Sequence, residues 1–277
     1  MNTDPHQRHF VPPARRRKSL RITQPEVNTH MQPSRVELAV LNNTRWYEAM
    51  FEAHGLACEV DGRVWLSHQT PPPFHSNLVV LSPDTTQTDV EAYVSELGRR
   101  LPTGGWSLKD SYARLDLHSL GFTQLFQAEW IWRDPHPSEA RNAAPRLAWA
   151  KVRTATELLE WEDAWSGDSM NDKAAPRMRQ FPGQLLASPE HAFFAGRLEG
   201  QVVAGGIANR SPGVVGLSNV FSSQAFSEEA WNALVTCIAA AFPNVPLVGY
   251  ERGADLQLAK GAGFVPIGAL RVWRREG

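Results

Sequence analysis

Residues 248–273 decide the fold, and they read VGYERGADLQLAKGAGFVPIGALRVW. Apolar residues open and close this stretch and its middle has helical spacing. The pattern therefore predicts a strand, a helix and a strand hinged at Gly263 and Phe264. Residues 106–132 read WSLKDSYARLDLHSLGFTQLFQAEWIW and repeat the arrangement more weakly, with Gly121 and Phe122 at the same place. Two such units predict two related domains.

The segment before the 248–273 unit predicts a full set of strands and helices. Apolar runs and turn residues predict strands over 147–152, 192–198, 201–209 and 214–221, and helical periodicity predicts helices over 156–165 and 227–242. The helix over 227–242 has Ser227 as a suitable N-cap, and the acids Glu228 and Glu229 follow in its first turn. The order predicts an α/β domain.

The first half of the chain gives a shorter version of this order. The pattern predicts a helix over 44–54, a hairpin around Asp61 and Gly62, a strand over 77–81 and a helix over 88–101. We therefore predict a basic, disordered leader over 1–34, a first domain over 35–133, a linker over 134–146 and a second domain over 147–277. An alternative for the leader is that translation starts at Met31.

The composition excludes several classes of protein. The chain has 28 basic and 29 acidic residues and a net charge of −1, so neither nucleic acid nor an anionic membrane is an expected partner. No secretory signal and no run of about 18 apolar residues is present, which predicts a cytoplasmic protein. Two cysteines form no disulfide framework, and His68 and His75 lack a third ligand, so no metal is expected. The oligomeric state cannot be predicted from these data.

Three stretches together resemble the GNAT superfamily of acyl-CoA-dependent N-acetyltransferases in its tandem-domain form. They are FFAGRLEGQVVAGG from Phe193, GLSNV from Gly216, and the hinge at Gly263 and Phe264. The resemblance covers residues 147–277 well and 44–133 loosely, so the first domain is a degenerate copy. It implies an α/β fold with a mixed, mostly antiparallel sheet flanked by helices, and acetyl-CoA as the co-substrate.

The resemblance also implies where the cofactor binds. In the family, the strands equivalent to 214–221 and 247–250 part, and the pantetheine arm pairs with the exposed backbone, here that of Asn219, Val220 and Phe221. Pyrophosphate would meet the next helix, near Ser223, Gln224 and Ser227. The family has a basic, glycine-rich turn at this point, whereas residues 221–230 read FSSQAFSEEA. Glu228 and Glu229 would weaken phosphate binding there.

Acetyl transfer to an amine requires a base for the ammonium and an acid for the departing thiolate. The family's tyrosine falls on Ala259 here. Tyr250, at the end of the strand beside the proposed gap, is the nearest general acid, and Glu251 is the candidate base. The sequence therefore predicts transfer of an acetyl group to an amine of a small molecule or protein by the second domain. The alternatives are a catalytically inactive GNAT-like binding or regulatory module and a small-molecule sensor.

Overall fold

The structure is a computed structural model that describes residues 32–101, 105–135, 146–167 and 179–276. Its described strands form one sheet of eleven, in the order β1-β2-β3-β4-β11-β5-β10-β9-β8-β7-β6. Only the pairs β3–β4 and β9–β10 are parallel, which confirms the mixed, mostly antiparallel sheet. The strand bounds are β1 Glu59–Asp61, β2 Val64–Leu66, β3 Leu78–Val80, β4 Trp106–Asp110, β5 Phe122–Arg133, β6 Ala148–Lys151, β7 His191–Leu198, β8 Gln201–Ser211, β9 Val214–Ser222, β10 Leu247–Glu251 and β11 Val265–Arg275.

Helices flank both faces of this sheet. They are α1 Arg35–Ala53, α2 Gln87–Arg100, α3 Ala155–Ser166, α4 Ser227–Ala241 and α5 Gly253–Gly261. Ser34, Thr86 and Thr154 begin the first three, each in a capping box with an acid three residues later. Apolar residues of α2 pack with β2, β3 and β4, while α4 and α5 pack with β7 to β10. Both halves of the chain are therefore α/β, as predicted.

The two halves exchange their last strands. β5, the last strand of the first half, lies between β10 and β11, and β11, the last strand of the chain, lies between β4 and β5. Each exchanged strand pairs antiparallel with the other half: β5 with β10, and β11 with β4. The tandem units therefore share one continuous sheet instead of forming two separate ones.

Helix α1 belongs to the first half in sequence but packs across the strands of both. Tyr47 and Phe51 contact Trp65 and Val79 of the first half, and other apolar residues of α1 contact β5, β7, β8, β9 and β10. Asn42 fixes this position, because its Nδ2 donates to the carbonyl of Asn209 (2.9 Å) and Asn209 Nδ2 donates back to Asn42 Oδ1 (3.1 Å). The helix also starts nine residues before the predicted 44, because the Ser34 cap and Glu37 begin it.

Two local predictions were wrong. The first copy has only a 3-10 turn, His118–Leu120, where a helix was expected. The Asp110 carboxylate accepts the amides of Tyr112 (3.3 Å) and Leu115 (2.8 Å), which holds a turn instead. At α4, Phe226 is the N-cap residue and no side chain caps the helix; Ser227 is already helical.

The predicted domain bounds stay a prediction. Residues 1–31 of the leader and residues 136–145 of the linker lie outside the described residues. Within the described part of the chain, no helix has the length and apolar character needed to cross a membrane.

Candidate active site

The strands β9 and β10 part after two residue pairs. Leu247 pairs with Val215 and Val248 with Gly216, and beyond this point β9 continues beside β8 while β10 continues beside β5. Asn219 has a positive φ of 52°, and the β8–β9 register shifts nearby, which bends β9 away. Backbone groups of both strands therefore face a gap instead of a partner strand, as the resemblance implied.

A cavity of about 220 Å³ lies at this gap and is covered by α1. Among the predicted residues, Asn219, Val220, Tyr250 and Glu251 line it. Phe221 does not, because its ring packs edge-on against Trp161 at 5.2 Å. Tyr250 and Glu251 also line a wider cleft of about 650 Å³, whose walls come from both halves and include Lys109, Arg252 and Arg274.

The Tyr250 hydroxyl lies beside Lys109, which comes from β4 of the first half. Lys109 Nζ is 3.4 Å from the hydroxyl and 4.4 Å from the centre of the Tyr250 ring. The Lys109 cation by itself lowers the pKa of Tyr250, but burial and Tyr47 outweigh it and the pKa is raised. Tyr250 is therefore a neutral phenol at neutral pH, and the Lys109 ammonium can stabilise the phenolate that forms when Tyr250 gives up its proton.

Lys109 is a buried ammonium, with only 1% of its surface exposed. Its Nζ donates to Asn43 Oδ1 at 2.8 Å and lies 4.7 Å from the centre of the Tyr47 ring, both on α1. Burial opposes the charge, but the oxygens of Tyr250 and Tyr47 favour it more, and the pKa of Lys109 is raised. Sequence reasoning missed this residue, because its neighbours come from α1 and β10 and no local pattern marks it.

Glu251 follows Tyr250 on β10 and lines the same two cavities. Tyr250 packs with Lys109 on the α1 side, and Glu251 is influenced by Asp255 of α5. Burial, and then Asp255, raises the pKa of Glu251 to about 8. The carboxyl is thus largely protonated at neutral pH and becomes a base only in mildly alkaline solution.

His75 is a second candidate base on the α1 side, and it lines both cavities. Its Nδ1 donates to the Pro73 carbonyl at 2.9 Å, which leaves the lone pair on Nε2. Burial lowers the pKa of His75 to about 4, and Lys109 contributes to the shift. The imidazole is therefore neutral at every pH at which the protein would work. The sequence showed this residue only as half of an incomplete metal pair.

The turn before α4 holds Ser223, Gln224 and Ser227, which were predicted to meet pyrophosphate. The amide of Ser223 donates to Val203 O and that of Phe226 to Ser223 O, both at 2.9 Å. Ser227 Oγ donates to the Gln224 carbonyl at 3.3 Å. Two of the amides in this turn are thus already paired within the protein.

Arg146 adds a positive charge at the same turn. Its guanidinium donates to the Ala225 carbonyl (3.2 Å), lies 4.6 Å from the centre of the Phe226 ring and bonds Glu229 at 2.7 Å. Burial of Glu229 opposes its ionisation, but the bonds from Arg146 and Leu147 outweigh it and lower its pKa. Glu229 is therefore neutralised by Arg146, and Glu228 is the acid left exposed at the helix start. Sequence reasoning missed Arg146, because this residue falls in the predicted linker over 134–146.

Comparison with solved structures agrees with this architecture. The chain is similar to a GCN5-related N-acetyltransferase from Kribbella flavida (TM-score 0.56, 15% identity, 87% of this chain and 96% of that chain). It is also similar to a GCN5-related N-acetyltransferase from Sphaerobacter thermophilus (0.52, 9%, 77% and 76%). A third similar structure is a tandem GNAT protein from the clavulanic acid biosynthesis pathway (0.50, 10%, 72% and 73%). No protein-family model and no curated protein matches the sequence. At these identities the likeness shows the fold, which is the tandem GNAT-like fold.

Proposed function

We propose that this protein, which has the tandem GNAT-like fold, transfers an acetyl group from acetyl-CoA to an amine. The observation that carries the proposal is the gap between β9 and β10, which exposes unpaired backbone beside a cavity lined by Tyr250. A pantetheine arm contains amides that can pair with such an edge, as an added strand would. Acetyl-CoA supplies the activated thioester, and the chain supplies the groups that position it and move protons.

Each end of the co-substrate has candidate partners in the chain. Backbone groups of Asn219 and Val220 would hold the pantetheine arm at the gap. At the turn before α4, the Arg146 guanidinium and the hydroxyls of Ser223 and Ser227 could serve the pyrophosphate, in place of the glycine-rich turn. The paired amides of Ser223 and Phe226 reduce what the turn can offer, so weak binding is expected.

Tyr250 would protonate the departing thiolate. The phenol holds its proton at neutral pH, and Lys109 at 3.4 Å stabilises the phenolate that remains after transfer. Glu251 or His75 would take the proton of the attacking amine. The two differ in the pH at which they become available, because their pKa values are about 8 and about 4.

The test measures acetyl-CoA binding and turnover separately. Titration calorimetry should detect acetyl-CoA binding, and Tyr250→Phe should lower kcat roughly a hundredfold with little change in Kd, because a proton donor acts only as charge develops on sulfur. Tyr93→Phe is the matched control, since its hydroxyl bonds Asp61 far from the gap. No heat and no thermal shift at millimolar acetyl-CoA would end this proposal, and an unchanged kcat would remove Tyr250 from it.

A second candidate function is a GNAT-like module that binds a ligand without catalysis. The paired amides of Ser223 and Phe226 favour it, because an acyltransferase is expected to keep those donors free for phosphate. Acetyl-CoA binding without any transfer to a panel of amines would favour this candidate. Turnover above the rate without enzyme would exclude it.

A further inference from the structure

The Lys109 ammonium lies in the cleft between the halves without a counter-charge. Its polar partners are the Asn43 side-chain oxygen at 2.8 Å and the Tyr250 hydroxyl at 3.4 Å, both neutral. No carboxylate of the described residues forms an ion pair with it. His75, another titratable group nearby, is also neutral, since burial holds its pKa at about 4.

A buried charge without an opposite charge is unfavourable, so its presence calls for an explanation. A structural lysine is normally paired with an acid or reaches water, and Lys109 does neither, with 1% of its surface exposed. The dipoles of Asn43 and Tyr250 and the ring faces of Tyr47 and Tyr250 stabilise the ammonium only in part, because they bring no net charge. An anionic ligand in the cleft would supply the counter-charge that the described residues do not provide.

The cleft is placed and sized for a small ligand of this kind. Lys109, Arg252 and Arg274 line this cleft of about 650 Å³, together with the carboxyl side chains of Glu251 and Asp255. That volume suits a small molecule. A carboxylate on an amine acceptor can pair with the cationic side chains, of which Lys109 is the buried one.

We propose that the acceptor is a small amine bearing a carboxylate, and that the Lys109 ammonium binds this carboxylate. The inference rests on the proposed acetyl transfer and names its substrate class. Lys109 belongs to the first half of the chain, and it binds the acceptor that the second half acetylates. The first half is thereby part of the binding site.

The first experiment compares acceptors that differ only in charge. The pairs are β-alanine with β-alaninamide and 4-aminobutyrate with 4-aminobutanamide, with CoA release followed by chromatography. We expect kcat/KM to favour each carboxylate by about tenfold or more, the effect of losing one charged contact. Equal or better use of the carboxamides would overturn the inference and leave acetyl transfer intact. A preference for 2-aminoethyl phosphate alone would overturn the choice of carboxylate.

Two variants then assign the preference to Lys109. Asn43→Asp keeps the shape of the side chain but puts a carboxylate at 2.8 Å from Nζ, so the ammonium gains an internal counter-charge. Lys109→Met removes the charge and keeps most of the aliphatic volume. Both should bring the carboxylate-to-carboxamide ratio close to one, while Lys151→Met, an exposed lysine on β6, should leave it unchanged. A ratio that survives in Asn43→Asp, which retains the fold, would overturn the inference.

Binding without turnover separates this inference from the proposed function. If no amine is acetylated, acetyl transfer fails, but calorimetry with 4-aminobutyrate still tests the Lys109 site. Heat with 4-aminobutyrate that is absent with 4-aminobutanamide and absent in Asn43→Asp would support the site. Equal heats for the two ligands, or no heat with either, would overturn it.

Discussion

At the residue scale, close packing accounts for the glycine pair at Gly205 and Gly206, although such a pair could also indicate a phosphate-binding loop. Gly205 and Gly206 form a glycine pair of the kind found in phosphate loops, but they lie in the middle of β8. A Cβ on Gly205 would overlap the Trp161 indole and come within 2.8 Å of the Phe194 carbonyl oxygen. The glycine therefore allows α3 to pack closely on the sheet.

Gly205→Ala should lower the free energy of unfolding by about 1–3 kcal/mol, because Trp161 and the backbone of β7 leave no room for a methyl group. Urea unfolding followed by tryptophan fluorescence measures this. Gly183→Ala is the control, since nothing lies within 4 Å of the new methyl group. A Gly205→Ala protein as stable as the parent would show that the sheet relaxes around the substitution.

Glu251 should make the stability of the protein depend on pH. Burial raises its folded pKa to about 8 from an ordinary value of 4.5. Between these values the unfolded chain loses the proton and the folded chain keeps it. The contribution of Glu251 to stability is therefore complete below about pH 4.5 and is lost as the pH rises through 8. Thermal melts should show a smaller fall in Tm over this range for Glu251→Gln than for the parent.

The pH dependence of turnover identifies the base. If Glu251 is the base, kcat/KM should rise up to about pH 8 and the rise should vanish in Glu251→Gln. If His75 is the base, the imidazole is already neutral above about pH 4, so the profile should keep its shape in Glu251→Gln. The acceptor amine titrates in both proteins, and the comparison between them removes its effect. His75→Gln should lower kcat only in the second case.

At the element scale, the first turn of α4 repels an anion less than its two glutamates, Glu228 and Glu229, would suggest. Glu229 accepts hydrogen bonds from the amides of Arg146 and Leu147 and from the Arg146 guanidinium. Its negative charge is therefore paired within the protein. Glu228 is the exposed acid in the first turn. The two glutamates, adjacent in sequence, therefore have different effects on a phosphate at this helix.

Glu228→Gln should tighten acetyl-CoA binding about two- to fivefold at low salt, because one charge that opposes the helix dipole is removed. Glu229→Gln should instead lower the Tm, because it weakens the attachment of β6 to α4 through Arg146. Calorimetry at two salt concentrations and thermal melts separate the effects. An unchanged Tm in Glu229→Gln would contradict the pairing of Glu229 with Arg146.

The elements themselves could be predicted from sequence, but their placement could not. Alternation in the strands and the three-to-four spacing in α2 and α4 are local properties, so the predicted hairpins and these two helices lie close to their observed bounds. The roles of Lys109, His75 and Arg146 depend on contacts with other elements, and no local sequence pattern indicates those contacts. Helix α1 was predicted, but nothing within its sequence indicates that Asn42 bonds Asn209 of β8, 167 residues further along the chain.

At the scale of the whole molecule, the exchange of β5 and β11 determines how the halves depend on each other. β11 pairs with β5 along nearly its whole length and with β4 on its other side. β5 in turn closes the side of β10 that faces away from the gap. Neither half has a complete sheet without a strand from the other.

The exchange predicts that neither half folds alone. A chain of residues 146–277 would lose β5 from between β10 and β11 and β4 from the other side of β11. It would expose one edge of β10, both edges of β11, and the apolar residues Val248 and Leu270 that pack with β5 in the full chain. We expect the separate halves to aggregate or to unfold without cooperativity, and the two refolded together to recover one thermal transition like that of the full chain. Circular dichroism and size-exclusion chromatography measure both properties. A monomer of residues 146–277 that melts cooperatively would show that β11 can take the place of β5 beside β10, and that the exchange is a consequence of linking two domains that can each fold independently.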